Sequence, residues 1–110
     1  MKSRKLERSF QSSLIKELKK IFKDCIILKL DAQHKQGIPD LLILWGKNWA
    51  ALECKRFANA KHQPNQDYYV KKMNAMSFSR FIYPENKGVI LRELEQAFGL
   101  NRNARVSGCK

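Results

Sequence analysis

The chain has 110 residues, enough for one domain with a modest core and too few for a second. Lys and Arg number 22 against 10 Asp and Glu, and the resulting +12 runs from Lys2 to Lys110, which favours a polyanionic partner, nucleic acid ahead of an anionic membrane surface. The opening "MKSRKLERSFQSSLIKELKK" interrupts its apolar residues with charge before a signal-peptide core could form, and the longest apolar run, Leu41 to Trp45, is far too short to span a bilayer, so a cytoplasmic protein is expected.

Leu6, Phe10, Leu14, Leu18 and Phe22 recur at every fourth residue, with Ile15 and Ile21 widening the stripe, which predicts an amphipathic helix over 4–23 with a basic polar face. "CIILKL" (25–30) predicts a strand, and "DAQHKQG" a loop ending at the breakers Gly37 and Pro39. Residues 40–45 and 49–55 predict the second and third strands, joined in a tight hairpin through Gly46, Lys47 and Asn48. After a polar loop at 56–63, Pro64 takes the place of a first helical residue, and "NQDYYVKKMNAM" puts Tyr69, Val70, Met73 and Met76 on one side. "SRFIYP" (79–84) predicts a fourth strand and "ILRELEQAF" a short last helix after Gly88.

That order implies an α/β (α+β) fold, a small mixed sheet with helices on its faces, in a single domain over 1–99. The basic stretch 100–110 is expected to fray. Cys25, Cys54 and Cys109 are odd in number and lack zinc-type spacing, so no structural role is expected of them.

The chemistry centres on "GIPDLLILWGKNWAALECK" (37–55), which sets Asp40, Glu53 and Lys55 among apolar residues, where charges are costly unless paired or metal-bound. If the turn is the two-residue Gly46-Lys47, Trp45 pairs with Asn48 and Asp40 falls opposite Glu53, their Cβ atoms about 5 Å apart on one face. Lys55, two residues beyond Glu53, points to that face as well. A three-residue turn would instead set Asp40 opposite Cys54 and require a bulge to restore convergence. Two carboxylates so placed suit Mg²⁺ or Mn²⁺, and a metal held there can polarise a phosphodiester and acidify a water. Lys55 would position that water or offset charge developing on the phosphate.

Gly37-Ile38-Pro39-Asp40, then Glu53-Cys54-Lys55, then Gln66 in "PNQ" at a helix start, resembles the PD-(D/E)XK nuclease superfamily, and within it the compact VRR-NUC type. The resemblance covers about residues 6–98 and implies a restriction-endonuclease-like αβββαβ core. It implies that Asp40 and Glu53 ligate Mg²⁺ or Mn²⁺ with help from the backbone carbonyl of Cys54, whose side chain fits as a small hydrophobe. Glu7 matches the helical Glu that completes the metal shell, although Glu17 on the same helix is a second candidate. Lys55 would act on the nucleophile or transition state, and Gln66 would orient the site. The segment "LDAQHKQ" departs from the pattern, and the roles of Asp31 and His34 stay open, as does that of His62.

Arg56, Lys61, Lys71, Lys72 and Lys35 would border such a site and contact DNA phosphates. Trp45, Trp49 and Tyr69 are expected to pack in the core, while Tyr68 stays open between packing and base stacking. The expected activity is metal-dependent cleavage of DNA, selective for branched or junction structure rather than sequence. Small stand-alone members of the family resemble Holliday-junction resolvases, which implies a homodimer, with helix residues such as "YYVKKMNAM" supplying a two-fold interface, and a phage origin in a host cytoplasm. The alternative is a non-catalytic basic nucleic-acid-binding module on the same fold.

Overall fold

A computed structural model describes residues 2–100, with side chains from Glu7 onward. The fourfold apolar spacing forms the helix α1 (Lys2–Ile21), and Leu14, Leu18 and Phe22 from this stripe are fully buried. Leu6 carries the predicted spacing, but its side chain lies outside the described residues. The chain continues through β1 (Ile26–Lys29), β2 (Leu41–Trp45), β3 (Asn48–Cys54), α2 (Gln66–Met76), β4 (Ser79–Ile82) and α3 (Lys87–Ala97). The four strands form one mixed sheet in the order β1-β2-β3-β4. Both hairpin pairs are antiparallel, and β4 returns through α2 to lie parallel to β3. This is the expected α+β order of helix, three strands, helix, strand, helix.

Strand alternation divides the work between the two sheet faces. Leu41 and Ile43 of β2, with Ala50, Leu52 and Cys54 of β3, join Leu14 and Leu18 of α1, Phe22 just beyond it, and Ile90, Leu91 and Leu94 of α3 in one buried core. Trp45 closes one end of it, 5.2 Å from Phe22 and 6.1 Å from Phe98 between ring centroids, and its indole N–H donates to the Lys23 carbonyl. On the opposite face α2 packs against β3 and β4, and Val70 is its buried anchor. Ile26 and Leu28 on the edge strand β1 are exposed, at 56% and 43%.

That coverage corrects the expected burial of Trp49 and Tyr69, which are half-buried and outside the core because they belong to the Glu53 face and to its helix. Cys54 is fully buried in the core as the small hydrophobe expected between Glu53 and Lys55. Cys25 and Cys54 are free thiols, and Cys109 lies outside the described residues.

The first helix and first three strands differ from the expected spans by one or two residues at their ends, and the boundaries of α2, α3 and β4 differ for reasons the contacts show. Asn65, not Pro64, stands at the head of α2, with φ 71° in the left-handed region, so Pro64 lies outside the helix. Asn65 packs so closely on Gly37 that a Cβ on Gly37 would stand 2.5 Å from the Asn65 Cβ. α3 begins before Gly88 because the Asn86 carbonyl already accepts the Ile90 N–H at 2.9 Å. β4 stops at Ile82 because the next N–H, from Tyr83, turns to the Asn86 side-chain oxygen at 2.9 Å. The expected fraying tail falls outside the described residues, except that Leu100 donates its N–H to the Glu95 carbonyl and packs on the core.

Candidate active site

The hairpin decides which charged groups meet. Gly46, at φ 60°, and Lys47 form a two-residue turn, Trp45 pairs with Asn48, and Leu41 pairs with Leu52. One step further along this register sets Asp40 opposite Glu53 and spares the bulge that a longer turn would require. Alternate N–H groups of β3 point toward β4, as Ala51 and Lys55 show by donating to the Phe78 and Ile82 carbonyls. The Cys54 N–H therefore points the other way, past the end of β2. There the Asp40 carboxylate accepts it, Oδ2 to N at 3.0 Å. A side chain thus replaces the missing ladder bond and is itself fixed in direction.

Glu53 and Lys55 project toward α2, and Gln66 in that helix's first turn holds both. Gln66 Nε2 donates to Glu53 Oε2 at 2.7 Å, while its Oε1 accepts from Lys55 Nζ at 2.6 Å and from the Gln63 N–H at 2.8 Å. Lys55 Nζ also donates to the Lys61 carbonyl at 3.1 Å and lies 3.8 Å from Glu53 Oε2. Both charged residues are buried, Glu53 at 2% exposure and Lys55 at 6%. Glu53 Oε1 is buried with no hydrogen-bond partner, a costly state for a carboxylate oxygen unless something else ligates it.

The electrostatics follow from this burial. Desolvation and the neighbouring Asp40 charge push the Glu53 carboxyl up to about 8, against the smaller opposing pull of Lys55. Asp40 is raised too, chiefly by desolvation, with the Cys54 N–H opposing and the Glu7 charge adding to the rise. The Cys54 thiol is held in its neutral form by burial and by the Asp40 and Glu53 charges, with Gln11 opposing the rise.

Asp40, Glu53, Lys55 and Gln66 are therefore brought together. Glu7, from α1, acts electrostatically on both carboxylates, but among the described residues no three His, Cys, Asp or Glu side chains form a group that could hold a metal ion. Glu17 is engaged elsewhere, in a 2.8 Å ion pair with Lys87 that ties α1 to α3. The resemblance enlists the Cys54 carbonyl; the structure gives the Cys54 N–H a part of its own in holding Asp40.

Of the expected phosphate contacts, Lys35, Lys61, Lys71 and Lys72 are exposed, and the Arg56 guanidinium lies over the Phe57 ring at 4.8 Å. Asp31 forms a turn, its side chain accepting the Gln33 N–H at 2.8 Å. His62 is stacked on Phe81 at 4.1 Å and lies 2.8 Å from Asp67, which pins the segment whose backbone carries the Lys61 carbonyl and Gln63 N–H. Those two backbone groups are site members that the sequence reading missed. The only signal near the backbone pair was the breaker Pro64.

Compared with known proteins, the chain matches no family model, no curated protein and no solved structure. The residues themselves must therefore carry the functional reading.

Two converging carboxylates, one with a buried unliganded oxygen, are a donor set of the kind that Mg²⁺ or Mn²⁺ accepts, because these ions keep several waters and complete their shell with substrate phosphate.

Proposed function

We propose that the chain is a divalent-metal-dependent endonuclease hydrolysing phosphodiester bonds in DNA. The observation that carries this reading is Glu53, buried at 2% exposure with Oε1 unpartnered and raised to about 8 beside Asp40. Nothing in binding a polyanion favours setting a buried and a half-buried acidic group side by side, whereas a cation would satisfy the orphaned oxygen.

Asp40 and Glu53 would hold the ion, with Glu7 contributing at longer range. A bound Mg²⁺ or Mn²⁺ supplies Lewis-acid polarisation of a phosphoryl oxygen and a lowered pKa for an attacking water. The chain's own groups do the rest. Glu53 keeps a proton through neutral pH while no cation is present, and releasing it is the condition for ligation. Lys55 is held by Gln66 and by the Lys61 carbonyl, so that a positive group stands ready beside the charge that develops on the phosphate. Exposed Lys35, Lys61, Lys71 and Lys72, with Arg56, hold the strand by contacts that carry no sequence information. The proposal includes structure-selective cutting of branched or junction DNA, since among the described residues three helices and one sheet form the fold with no separate element for base reading.

The experiment is cleavage of a matched panel of single strand, duplex, nicked duplex, flap and four-way junction in Mg²⁺, Mn²⁺ or EDTA, with binding recorded in parallel. Metal-dependent cutting that Asp40→Ala and Lys55→Ala abolish while binding survives is the expected result. Binding of every substrate with no cutting in either metal would turn the reading to a non-catalytic DNA-binding module.

A further inference from the structure

On the helix that carries Gln66, the first turns present two aromatic rings that the chemistry above does not use. Tyr68 is 57% exposed, although a helix anchored by Val70 gains no core packing from it. Its ring meets Tyr69 edge to face with centroids 5.0 Å apart, and Lys72 Nζ lies 5.7 Å from the Tyr68 centroid. On the other side Lys35 Nζ, from the loop before β2, lies 5.8 Å from the Tyr69 centroid. The close approach of Gly37 to Asn65 brings that loop against the head of the helix. The result is an accessible ring in edge contact with a second ring, with Lys72 near the first and Lys35 near the second.

We infer that Tyr68 is a stacking platform for an unpaired base of a DNA strand, with Lys35 and Lys72 holding the flanking phosphates. A flat π-surface between flexible cations is the arrangement by which proteins hold single strands without reading sequence. An intact duplex keeps its bases stacked inside and offers nothing to an exposed ring, so the platform selects strands already unpaired or splayed. Both lysines lie near the outer limit of cation–aromatic attraction, on stems that can swing to phosphate while the ring stays. Tyr68 follows Gln66 by two residues, about 200° around α2, so the ring faces away from Glu53 and Lys55 and the stacked base belongs to a part of the strand that has passed over the helix. The inference deepens the nuclease reading by naming the local form of its substrate, and it rests on that reading only for the purpose of the platform.

The test is equilibrium binding in EDTA, by fluorescence anisotropy, of a labelled single-stranded oligodeoxynucleotide and its blunt duplex. The proteins compared are the wild type, Tyr68→Ala, Tyr68→Leu and Tyr68→Phe. Loss of a stacked base weakens single-strand binding about tenfold in the Ala and Leu variants, leaves the Phe variant within about twofold of wild type, and leaves duplex binding within about twofold throughout. Unchanged single-strand binding in Tyr68→Ala, an equal loss on both substrates, or a wild type that does not bind the single strand overturns the inference. Because EDTA removes cleavage from the readout, a wild type that shows the Tyr68 pattern yet cuts nothing in metal sinks the nuclease reading and upholds the platform. Cutting accompanied by indifference to Tyr68→Ala does the reverse.

Discussion

The Gln66 carboxamide oxygen lies 2.6 Å from the Lys55 ammonium, and that geometry fixes the rest of the amide, whose nitrogen reaches Glu53 at 2.7 Å. One neutral side chain from α2 thus spaces the two charged groups of β3. Replacing it leaves a buried acceptor and a buried donor unsatisfied together, at a cost of about 2 to 3 kcal/mol. Gln66→Leu is expected to lose that much stability in urea unfolding and to cut DNA about 100-fold more slowly, through mispositioning of Lys55. Its affinity for uncut DNA in EDTA should match the wild type. Wild-type stability in Gln66→Leu would show that the network is incidental.

Glu53 links stability to pH. Its folded value of about 8 stands above that of an exposed carboxyl, so between roughly pH 4.5 and 8 the native state holds a proton that the unfolded chain has released. Stability from this group is therefore greatest below that window and falls as pH rises through it. Glu53→Gln removes the ionisation while keeping an oxygen and the shape. The variant is expected to be more stable than wild type at pH 8, by on the order of 3 kcal/mol, and near wild type at pH 4.5. Thermal melts in EDTA at both pH values measure this, and a wild type that gains stability from pH 5 to 8 relative to the variant would contradict it.

A cation held by Asp40 and Glu53 must displace the Glu53 proton, so binding should strengthen with pH. Millimolar Mg²⁺ or Mn²⁺ is expected to raise the melting temperature more at pH 8 than at pH 6, with reversal by excess EDTA. Asp40→Asn and Glu53→Gln should show no such rise. The same metal response in either variant as in wild type would place the ion elsewhere.

Gly37 is the point where the loop before β2 meets the head of α2. At φ 91°, with a Cβ that would stand 2.5 Å from the Asn65 Cβ and 2.7 Å from its backbone carbon, alanine there must push the helix entry aside. Gly37→Ala is expected to cost about 3 kcal/mol, while Gly46→Ala, also at positive φ but in open space, costs about 1 kcal/mol. Denaturant midpoints of the two variants give the comparison, and equal losses would mean that backbone conformation alone, not the contact with Asn65, sets the cost.

Periodicity carried much of the architecture. A stripe at every fourth residue is a helix wherever it packs, and a strict alternation between Asp40 and Lys55 leaves the convergence of Asp40, Glu53 and Lys55 hanging on one choice, the length of the turn at Gly46. These are properties of a few neighbouring residues, fixed by backbone dihedrals and by the side-chain period, and the bare chain states them. The start of α2 was misplaced by the same local logic, because Pro64 is a good first helical residue and nothing nearby announces the left-handed Asn65.

Folding in three dimensions settled matters of another kind. Which sheet face α2 covers, and so why Trp49 and Tyr69 stay out of the core, depends on where a helix lands after a crossover. That the Cys54 N–H finds Asp40, that Lys61 and Gln63 offer backbone groups to Lys55 and Gln66, and that Glu53 Oε1 finds no partner all depend on the same placement. Burial and hydrogen-bond satisfaction are sums over every segment that approaches a group, most of them distant along the chain. The letters at positions 40, 53 and 55 name the charges, but only the surrounding packing strips away the water, and that loss makes Glu53 reluctant to ionise.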